Sequence, residues 1–389
     1  MYGLADKHLY LQKHQTLVII KRITTKINAD HRRTQMKYAL IYYKNTTNIG
    51  DDILTYAAKQ FLPQVDYYID REETDLFLPE TKEYTAAILN GWYLHYSYAF
   101  PPSPYIIPLF IGTHFNSDQM IFGDYSYLDQ NVTDYLRQIE GGIGCRDKQT
   151  MDVLGQKGIE NYFSGCLTLT LKPFSDIQGN GSIVLTDVSD EIKNYITKRL
   201  PDKQIICKTH RLSDQEIGTD WAHRETRVED YLKCYQKASL VITSRLHCAL
   251  PSIALGAPVI LIGKYDADYY DRFESYAQYC SCFSEEDLLA GKADAVIHNP
   301  PKNADIRTLT EQMTKNCRQF IDSFTDREMD TSALPELSQY KELYIERTGH
   351  MRRAIHKLLD IRYALEIQHQ QDVETMEHVL NVARQALNS

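Results

Sequence analysis

The sequence lacks any long hydrophobic run. Its longest apolar stretches, LVII at residues 17–20 and PVILIG at 258–263, are far shorter than the roughly 20 residues that a helix needs to cross a bilayer. The first residues also lack an apolar stretch followed by a small-residue cleavage site, which a secretory signal requires. We therefore expect a protein of the cytoplasm, and a peripheral position at the inner face of the membrane stays open.

The sequence also lacks paired cysteines. None of its eight cysteines forms a CxxC pair or a spacing typical of zinc ligands, so the pattern predicts no metal site. Several cysteines lie in apolar segments, as Cys248 does in RLHCALPSIAL. This placement favours buried free thiols in a reducing compartment.

Excess positive charge is missing as well. The formal net charge is −9, whereas a general nucleic-acid binder has a basic face, so we expect no nucleic-acid partner. Residues 1–35 depart from this balance, because they carry seven Lys and Arg against two acids, and Met36 then opens the apolar run MKYALIYY. We interpret residues 1–35 as an upstream extension or arm and Met36 as the biological start.

Apolar, β-rich runs alternate with helical patterns along most of the chain, which is typical of parallel βαβ units. KYALIYY at 37–43 and YTAAILNGW at 84–92 are predicted strands of a first half, and SIVLTD at 182–187 restarts the alternation in a second half. The pattern predicts an α/β protein of two Rossmann-like domains facing a cleft, with ligands at the carboxyl ends of the strands. We place the N-terminal domain at 36–172 and the C-terminal domain at 173–303.

Residues 304–389 show helical patterns only. An apolar seam recurs near the end at alternating intervals of three and four residues. Its members are Val373, Met376, Leu380, Ala383 and Leu387. Two heptads are too short to establish a coiled coil, so two alternatives stay open: the seam packs on the protein's own body, or it forms a homodimer contact.

The sharpest local signal is SLVITSRLHCALPSIALG at 239–256. A buried strand is predicted to end before Ser244, which is placed as the N-cap of the next helix, with Arg245 and His247 in the first turn. Open backbone N–H groups, the helix dipole and a guanidinium that grips carboxylate or phosphate with two bonds together favour an anion. A histidine there can exchange protons near neutral pH. The alternative is structural: Arg245 pairs with a buried acid and His247 caps the strand end.

Two further motifs follow predicted strands. NIGDD at 48–52 contains a glycine for a tight turn, and its Asp51 and Asp52 suit sugar hydroxyls, as acceptors or as a general base. Simple N-capping by either aspartate explains this motif equally well. In GIGCRD at 142–147, Arg146 emerges from a strand end beside an aspartate, and an ion pair that holds the turn together is as good an explanation as ligand binding.

Together these motifs resemble the polysaccharide pyruvyltransferase family. Asn-Ile-Gly-Asp-Asp at 48–52 is similar to its N-terminal motif, and Asn-Gly-Trp at 90–92 stands where the family usually has a glycine-rich turn. Cys-Arg-Asp at 145–147 looks like its Arg-Asp segment, and Ser-Arg-Leu-His at 244–247 looks like its Arg-Leu-His signature. The order and spacing agree across about 36–280.

The resemblance implies a fold similar to the two-domain GT-B glycosyltransferases. It also implies transfer of a pyruvyl group from phosphoenolpyruvate to two hydroxyls of a sugar in a cell-surface polysaccharide precursor, as a cyclic ketal with release of phosphate. Phosphoenolpyruvate and a saccharide or lipid-linked oligosaccharide would be the partners, and no cofactor is needed. On the donor side it implies His247 as proton donor and Arg245 as anion ligand, with Arg146, Ser244 and Leu246 beside them. The residues implied on the acceptor side are Asn48, Gly50, Asp51, Asp52, Asn90, Gly91 and Trp92.

The sequence departs from the family at one position. Relatives often have Gly-Asp-Pro where this chain has Gly-Cys-Leu at 165–167, so a carboxylate is missing and the substrate of this branch stays open. Two other functions stay open too. One is a glycosyltransferase of the same kind of fold that uses a nucleotide sugar, although residues 200–300 contain no two glutamates eight apart. The other is a non-catalytic glycan-binding protein, for which the helical end and Cys166 leave room.

Overall fold

A computed structural model describes residues 33–93, 100–115, 130–213, 220–263 and 273–346, with a few single positions in addition. These single positions are Glu216, Gly218, Leu358, Ile361, Leu365, Gln368, His369, Asp372, Thr375 and Met376. The strands in this part of the chain are β1 (Arg33–Gln35), β2 (Lys37–Tyr42), β3 (Tyr67–Asp70), β4 (Thr85–Tyr93), β5 (Ile106–Phe115), β6 (Ile143–Cys145), β7 (Asn161–Phe163), β8 (Ile183–Thr186), β9 (Ile205–Lys208), β10 (Leu240–Thr243), β11 (Val259–Ile262), β12 (Ser281–Phe283) and β13 (Glu328–Asp330).

Helices alternate with these strands. The α-helices in the described residues are α1 (Ile49–Lys59), α2 (Gln130–Leu136), α3 (Lys148–Gln156), α4 (Asp190–Arg199), α5 (Trp221–Lys237), α6 (Leu246–Ala254), α7 (Glu285–Leu289), α8 (Asp294–His298), α9 (Arg307–Asp322) and α10 (Leu337–Tyr340). Shorter 3₁₀ segments cover Arg71–Leu76 and Leu167–Thr170, and a π-helical turn covers Lys341–Glu346.

The first sheet is parallel and has the strand order β3-β2-β4-β5-β6-β7. Successive residues of a strand point to opposite faces. In β2, Tyr38, Ala39, Leu40 and Ile41 are all buried, so both faces of this sheet are covered. This explains why the strand is a continuous apolar run instead of an alternating one.

The second sheet is also parallel, with the order β12-β11-β10-β8-β9. Its strands IVLT, LVIT and VILI are buried along their whole length. When the strands of each sheet are numbered from one in chain order, both sheets have the doubly wound order 2-1-3-4-5, and the first carries a sixth strand at its end. The prediction of two Rossmann-like halves is confirmed.

The strand order reverses between β2 and β4 in the first sheet and between β8 and β10 in the second. In open parallel sheets, ligands bind beyond the carboxyl ends of the strands at this point of reversal. The residues that follow these four strands therefore mark where a site is expected.

One hydrophobic core runs through both halves. Ile53 of α1, Leu167 of the segment that joins the halves, and Tyr235 and Leu250 of the second half all belong to it. The halves thus share an interior, and the space between their strand ends is held by the same packing that stabilises the fold.

A buried arginine also links the halves. Arg224 of α5 reaches the turn after β2, where it donates hydrogen bonds to the carbonyl oxygens of Tyr43 and Lys44, both at 2.9 Å, and to Oδ1 of Asp52 at 3.2 Å. Both charged side chains are almost fully buried. This contact fixes the turn that carries the NIGDD motif.

The prediction that residues 304–389 are purely helical is wrong. Within that stretch β13 pairs antiparallel with β1, with Arg33 opposite Asp330. In addition, α9 buries Met313 and Cys317 in the core that both halves share.

The chain divides into two compact units between Leu334 and Pro335. In the second unit, Met376 of the predicted seam is exposed. The remaining seam residues lie outside the described part of the chain: Val373, Leu380, Ala383 and Leu387. The homodimer contact and the domain limits at residues 36, 173 and 304 stay predictions. No helix within the described residues has both the length and the apolar composition to cross a membrane.

Burial raises the pKa of the Asp52 carboxyl to about 7, far above its usual value. The Arg224 guanidinium offsets only part of this increase. In the unfolded chain the same carboxyl titrates near 3.9. The folded protein therefore holds a proton between these two pH values that the unfolded chain has lost, and the stability contributed by this proton is lost as the pH rises through 7.

We expect Asp52→Asn to remove this dependence, because an amide cannot lose the proton. Relative to this variant, the wild-type free energy of unfolding should fall by about 1–2 kcal/mol between pH 6 and pH 8. Urea unfolding at the two pH values measures it. Asp134→Asn, at an exposed position on α2, is the matched control for the replacement of an aspartate by asparagine. An Asp52→Asn difference that is the same at both pH values would contradict the assignment.

Candidate active site

A small cavity of about 180 Å³ lies between the carboxyl ends of the two sheets. Residues after β2, β6, β9 and β10, and the end of β4, supply most of its wall. The lining residues are Asn48, Asp51, Trp92, Arg146, His210, Ser244, Arg245, Leu246, His247 and Phe273. The structure thus brings together eight residues that the sequence motifs single out, and it adds His210 and Phe273.

Arg245 is the second residue after β10 and lines the cavity. Its Nε donates to Oδ2 of Asp187 at 2.8 Å, and about a third of the side chain stays exposed. Arg245 itself occupies the N-cap position of α6, so the prediction that Ser244 is the N-cap is wrong. The reason is local: the Ser244 hydroxyl donates to the carbonyl oxygen of Asp187 at 2.6 Å and is not available to the helix.

Asp187, which the sequence analysis missed, anchors this wall. It follows β8 with a φ of 51°, and its carboxylate accepts hydrogen bonds from the Thr209 hydroxyl at 2.6 Å and from the His210 backbone N–H at 2.9 Å. Burial alone would raise the pKa of Asp187, but these bonds and the Arg245 guanidinium outweigh it and lower the pKa. The carboxylate therefore stays ionised and holds Arg245 in place across the point of strand reversal.

The first turn of α6 borders the cavity through Leu246 and His247. The first N–H groups of a helix have no acceptor within the helix, and the macrodipole adds partial positive charge there. From Cys248 to Ile253 the helix is buried, so its start cannot move independently of the core. This end of α6 suits an anion.

Arg146 is the buried cation of the site. It follows β6 with a side chain only 2% exposed, and its Nε and Nη1 have no hydrogen-bond partner among the described residues. The nearest acid is Asp147, whose Oδ2 lies 3.7 Å from Nε. Burying these two groups without an acceptor is costly, because they lose the hydrogen bonds that water would make to them. An anion in the cavity would restore what Arg146 lacks.

Asp147 does not accept hydrogen bonds from Arg146, because its carboxylate oxygens are bonded to other groups. Oδ1 accepts from the backbone N–H of Thr150 at 2.8 Å and caps α3, while Oδ2 lies 2.6 Å from Nδ1 of His114. Burial opposes ionisation, but the His114 contact and the nearby Arg146 charge hold the pKa of Asp147 well below its usual value. Asp147 thus holds the turn through Thr150 and His114, and its ion pair with Arg146, one of the two explanations for GIGCRD, is long at 3.7 Å. Arg146 lines the cavity, and its part in ligand binding stays a prediction.

Cys166, at the position where relatives often have an acid, lies outside the cavity lining. Its thiol is fully buried, with Sγ 3.2 Å from Oγ1 of Thr168. Burial raises the pKa of this thiol even though the Arg146 charge acts in the opposite direction. The position therefore carries no negative charge that could neutralise Arg146.

The NIGDD motif forms the opposite wall. Asn48 caps α1, since its Oδ1 accepts from the Gly50 N–H at 3.0 Å. Asp51 lines the cavity and accepts hydrogen bonds from the Thr46 hydroxyl at 2.7 Å and from Nη1 of Arg71 at 3.4 Å. The predicted capping by an aspartate is therefore made by Asn48 instead, and Asp51 is free to face a ligand with its remaining lone pairs.

Four of the residues implied on the acceptor side do not line the cavity. Asp52 points away from it to Arg224, because adjacent residues of a helix lie on different faces. Asn90 is buried and donates from Nδ2 to the Leu54 carbonyl at 2.9 Å, which ties β4 to α1. Gly91 has a φ of 121° where the register between β4 and β5 shifts, a conformation that lets Trp92 reach the cavity.

The fourth, Gly50, packs closely against three residues that line the cavity: Asn48, His210 and His247. An ideal Cβ at this position would lie 3.1 Å from the Cβ of His247 and 3.3 Å from Nδ1 of His210. Both distances are shorter than ordinary contacts, so only glycine lets the two histidines approach α1 this closely. The sequence analysis assigned this glycine to a tight turn, and its packing role could not be seen from the motif.

His210 was not singled out from the sequence. It follows β9, is almost fully buried, and places Nε2 at 2.8 Å from the Tyr235 hydroxyl. Burial lowers the pKa of His210 to about 4, with the Asp187 charge opposing and the Arg245 charge adding to the effect. The sequence feature that could have identified His210 is its position directly after the predicted strand QIICKT of the second half.

Comparison with known proteins agrees with this geometry. The sequence profile of the family Polysaccharide pyruvyl transferase matches residues 48–264, more than half of the chain. The chain belongs to the polysaccharide pyruvyl transferase family. The matched stretch runs from Asn48, at the start of the NIGDD wall, to beyond β11, so it contains the strand reversal of the second sheet and nearly all of the cavity lining. A search of curated proteins finds no significant match.

Solved structures similar to this pyruvyl transferase family member are distant. A UDP-GlcNAc 2-epimerase from Methanocaldococcus jannaschii has 12% identity and a TM-score of 0.43, and covers 76% of this chain and 100% of its own. Another UDP-N-acetylglucosamine 2-epimerase has 12% identity and a TM-score of 0.43, with coverages of 75% and 95%. The wall teichoic acid polymerase TagF has 10% identity and a TM-score of 0.37, with coverages of 91% and 98%.

We expect Gly50→Ala to impair the transferase strongly. The added methyl group pushes on both histidines and on Oδ1 of Asn48, and displacements of this kind at a reacting centre cost at least about tenfold in kcat/KM. Gly155→Ala on α3 is the matched control, because its Cβ meets only one atom at 3.9 Å. The control should gain up to about 1 kcal/mol in stability and keep full turnover. Equal turnover of the two variants would show that the close packing at Gly50 has no functional importance.

Proposed function

We propose that this enzyme transfers the pyruvyl group of phosphoenolpyruvate to two hydroxyls of one sugar in a cell-surface polysaccharide precursor, with a cyclic ketal and phosphate as products. Family membership supports modification of a polysaccharide. The observation that carries the finer proposal is Arg146, a buried guanidinium whose Nε and Nη1 lack partners and which faces the same cavity as Arg245 and His247.

The donor suits this cavity in charge and size. Phosphoenolpyruvate carries a carboxylate and a phosphate on one small carbon skeleton, and fork-shaped guanidinium groups bind both anions well. Arg146 and Arg245 would hold one anionic group each, and the first turn of α6, with Ser244 and Leu246, would add backbone donors. A volume of about 180 Å³ is below the roughly 300–1,000 Å³ of cavities for drug-sized ligands, so it favours a small donor.

His247 is our candidate for the general acid. Protonation of the methylene carbon of phosphoenolpyruvate makes the neighbouring carbon electrophilic, and a sugar hydroxyl can then attack it. The support for this role is that His247 lies in the first turn of α6 and lines the cavity together with Arg245. Positioned acids of this kind contribute about 10²–10⁴ in rate.

The acceptor would approach along the opposite wall. Asn48 and Asp51 offer polar groups for sugar hydroxyls, and Trp92 offers an apolar ring surface beside them. Trp92 is held edge-on to His114, with ring centroids 5.2 Å apart, so its orientation is fixed. A free saccharide or a lipid-linked oligosaccharide presents the required pair of hydroxyls.

The proposal is tested by incubating the purified protein with phosphoenolpyruvate and a set of saccharide acceptors. Phosphate should appear only when a suitable acceptor is present, and mass spectrometry should find the acceptor heavier by one pyruvate less one water. His247→Ala should lose at least about tenfold in turnover. Binding of a nucleotide sugar without any reaction of phosphoenolpyruvate would instead favour a glycosyltransferase. Binding of glycan alone would favour a non-catalytic protein.

We expect Arg146→Lys to weaken binding of phosphoenolpyruvate by at least about tenfold. Lysine keeps the charge but loses the planar fork that contacts two oxygens at once. Calorimetric titration of phosphoenolpyruvate measures the Kd. Arg137→Lys, at an exposed arginine of the loop after α2, is the matched control and should bind as wild type does. An unchanged Kd in Arg146→Lys would remove this residue from the donor site.

A further inference from the structure

We propose that His210 is a second catalytic residue, whose Nδ1 takes a proton from an attacking sugar hydroxyl and passes it to the leaving phosphate. The inference rests on the proposed pyruvyl transfer and assigns it a base. It also names the group that holds this base in position, the Tyr235 hydroxyl. Three features of the described structure support it: the position of the ring, its fixed orientation and its protonation state.

The ring lies where a base is needed. His210 lines the cavity, and Nε2 is engaged by the Tyr235 hydroxyl at 2.8 Å, so Nδ1 is the nitrogen left for a ligand. Nδ1 has no hydrogen-bond partner among the described residues. An ideal Cβ at Gly50 would lie 3.3 Å from this nitrogen and 3.1 Å from the Cβ of His247. Both histidines therefore pack close to the same point of α1, and both line the same small cavity.

The orientation of His210 is fixed from several sides. Its backbone N–H donates to Oδ2 of Asp187 at 2.9 Å, and its carbonyl accepts from the Ile49 N–H at 3.0 Å. The ring packs against Tyr231 and stacks on Tyr235, with centroids 6.1 Å and 6.4 Å away. Both halves of the protein thus hold this residue, and a preorganised base needs no rearrangement during the reaction.

The ring is also in the right state for a base. Because burial lowers the pKa of His210 to about 4, the imidazole is neutral at pH 7. In the tautomer whose Nε2–H donates to the Tyr235 oxygen, Nδ1 carries the lone pair that a base requires. Asp51, the carboxylate that lines the cavity, already accepts hydrogen bonds from the Thr46 hydroxyl and from Arg71.

With two imidazoles the protons of the reaction balance. His247 gives its proton to the methylene carbon, and the first hydroxyl oxygen bonds to the neighbouring carbon as its proton moves to Nδ1 of His210. The carbon–oxygen bond to phosphate then breaks, and the phosphate takes the electron pair together with the proton from His210. The second hydroxyl oxygen closes the ketal, and its proton returns to His247. Both histidines end as they began.

The test is His210→Gln, since the glutamine amide can still donate to Tyr235 but offers no base at the position of Nδ1. We expect kcat to fall by about 10²–10⁴, while the Kd of phosphoenolpyruvate changes by less than about threefold. His298→Gln is the matched control, because His298 is an exposed histidine at the end of α8, and it should keep wild-type kcat. A second variant, His210→Ala, should regain part of its turnover when imidazole is added, which a purely structural role would not produce.

The possible results separate the two proposals. If wild type turns over phosphoenolpyruvate and His210→Gln keeps a kcat within about threefold of it, His210 is not the base and the proposed function stands. A folded His210→Ala enzyme that imidazole leaves unchanged also overturns the role. If wild type releases no phosphate with any acceptor, the proposed function itself fails, and the assignment of His210 fails with it.

Discussion

The site depends on the hydrogen bonds that the second half of the protein makes to the turn after β2. Arg224 holds the carbonyl groups of Tyr43 and Lys44, and the Leu212 N–H donates to the Thr47 carbonyl at 2.8 Å. Without these hydrogen bonds each point of strand reversal would be an open crevice at the carboxyl ends of its strands. With them the two crevices face each other, and side chains from both halves line one small cavity.

The charge pattern of that cavity follows from how each cation is held. Arg245 is paired with Asp187 and remains partly exposed, whereas Arg146 is buried and its nearest acid is turned toward His114. Buried N–H groups without acceptors cost free energy, and an anion bound beside Arg146 would offset that cost.

Much of this could be predicted from the sequence, because the information was local. SLVITS and the helix after it were visible as a strand and an apolar helix, and Arg245 and His247 were placed at their junction. Asp51 and Asp52 could not be distinguished, because which face of α1 meets the second half depends on long-range packing with Arg224. The pairing of β1 with β13 left no signal either, since RTQ and EMD are short, polar and far apart in the chain.

The shared hydrophobic core has a consequence for access. Many two-lobed enzymes admit large substrates by swinging their lobes apart about a hinge. Here such a motion would separate buried side chains such as Ile53 and Leu250. The free-energy cost would be about 25 cal/mol for every Å² of apolar surface exposed to water. The shared core therefore resists separation of the two halves, and a ligand of this cavity has to enter without it.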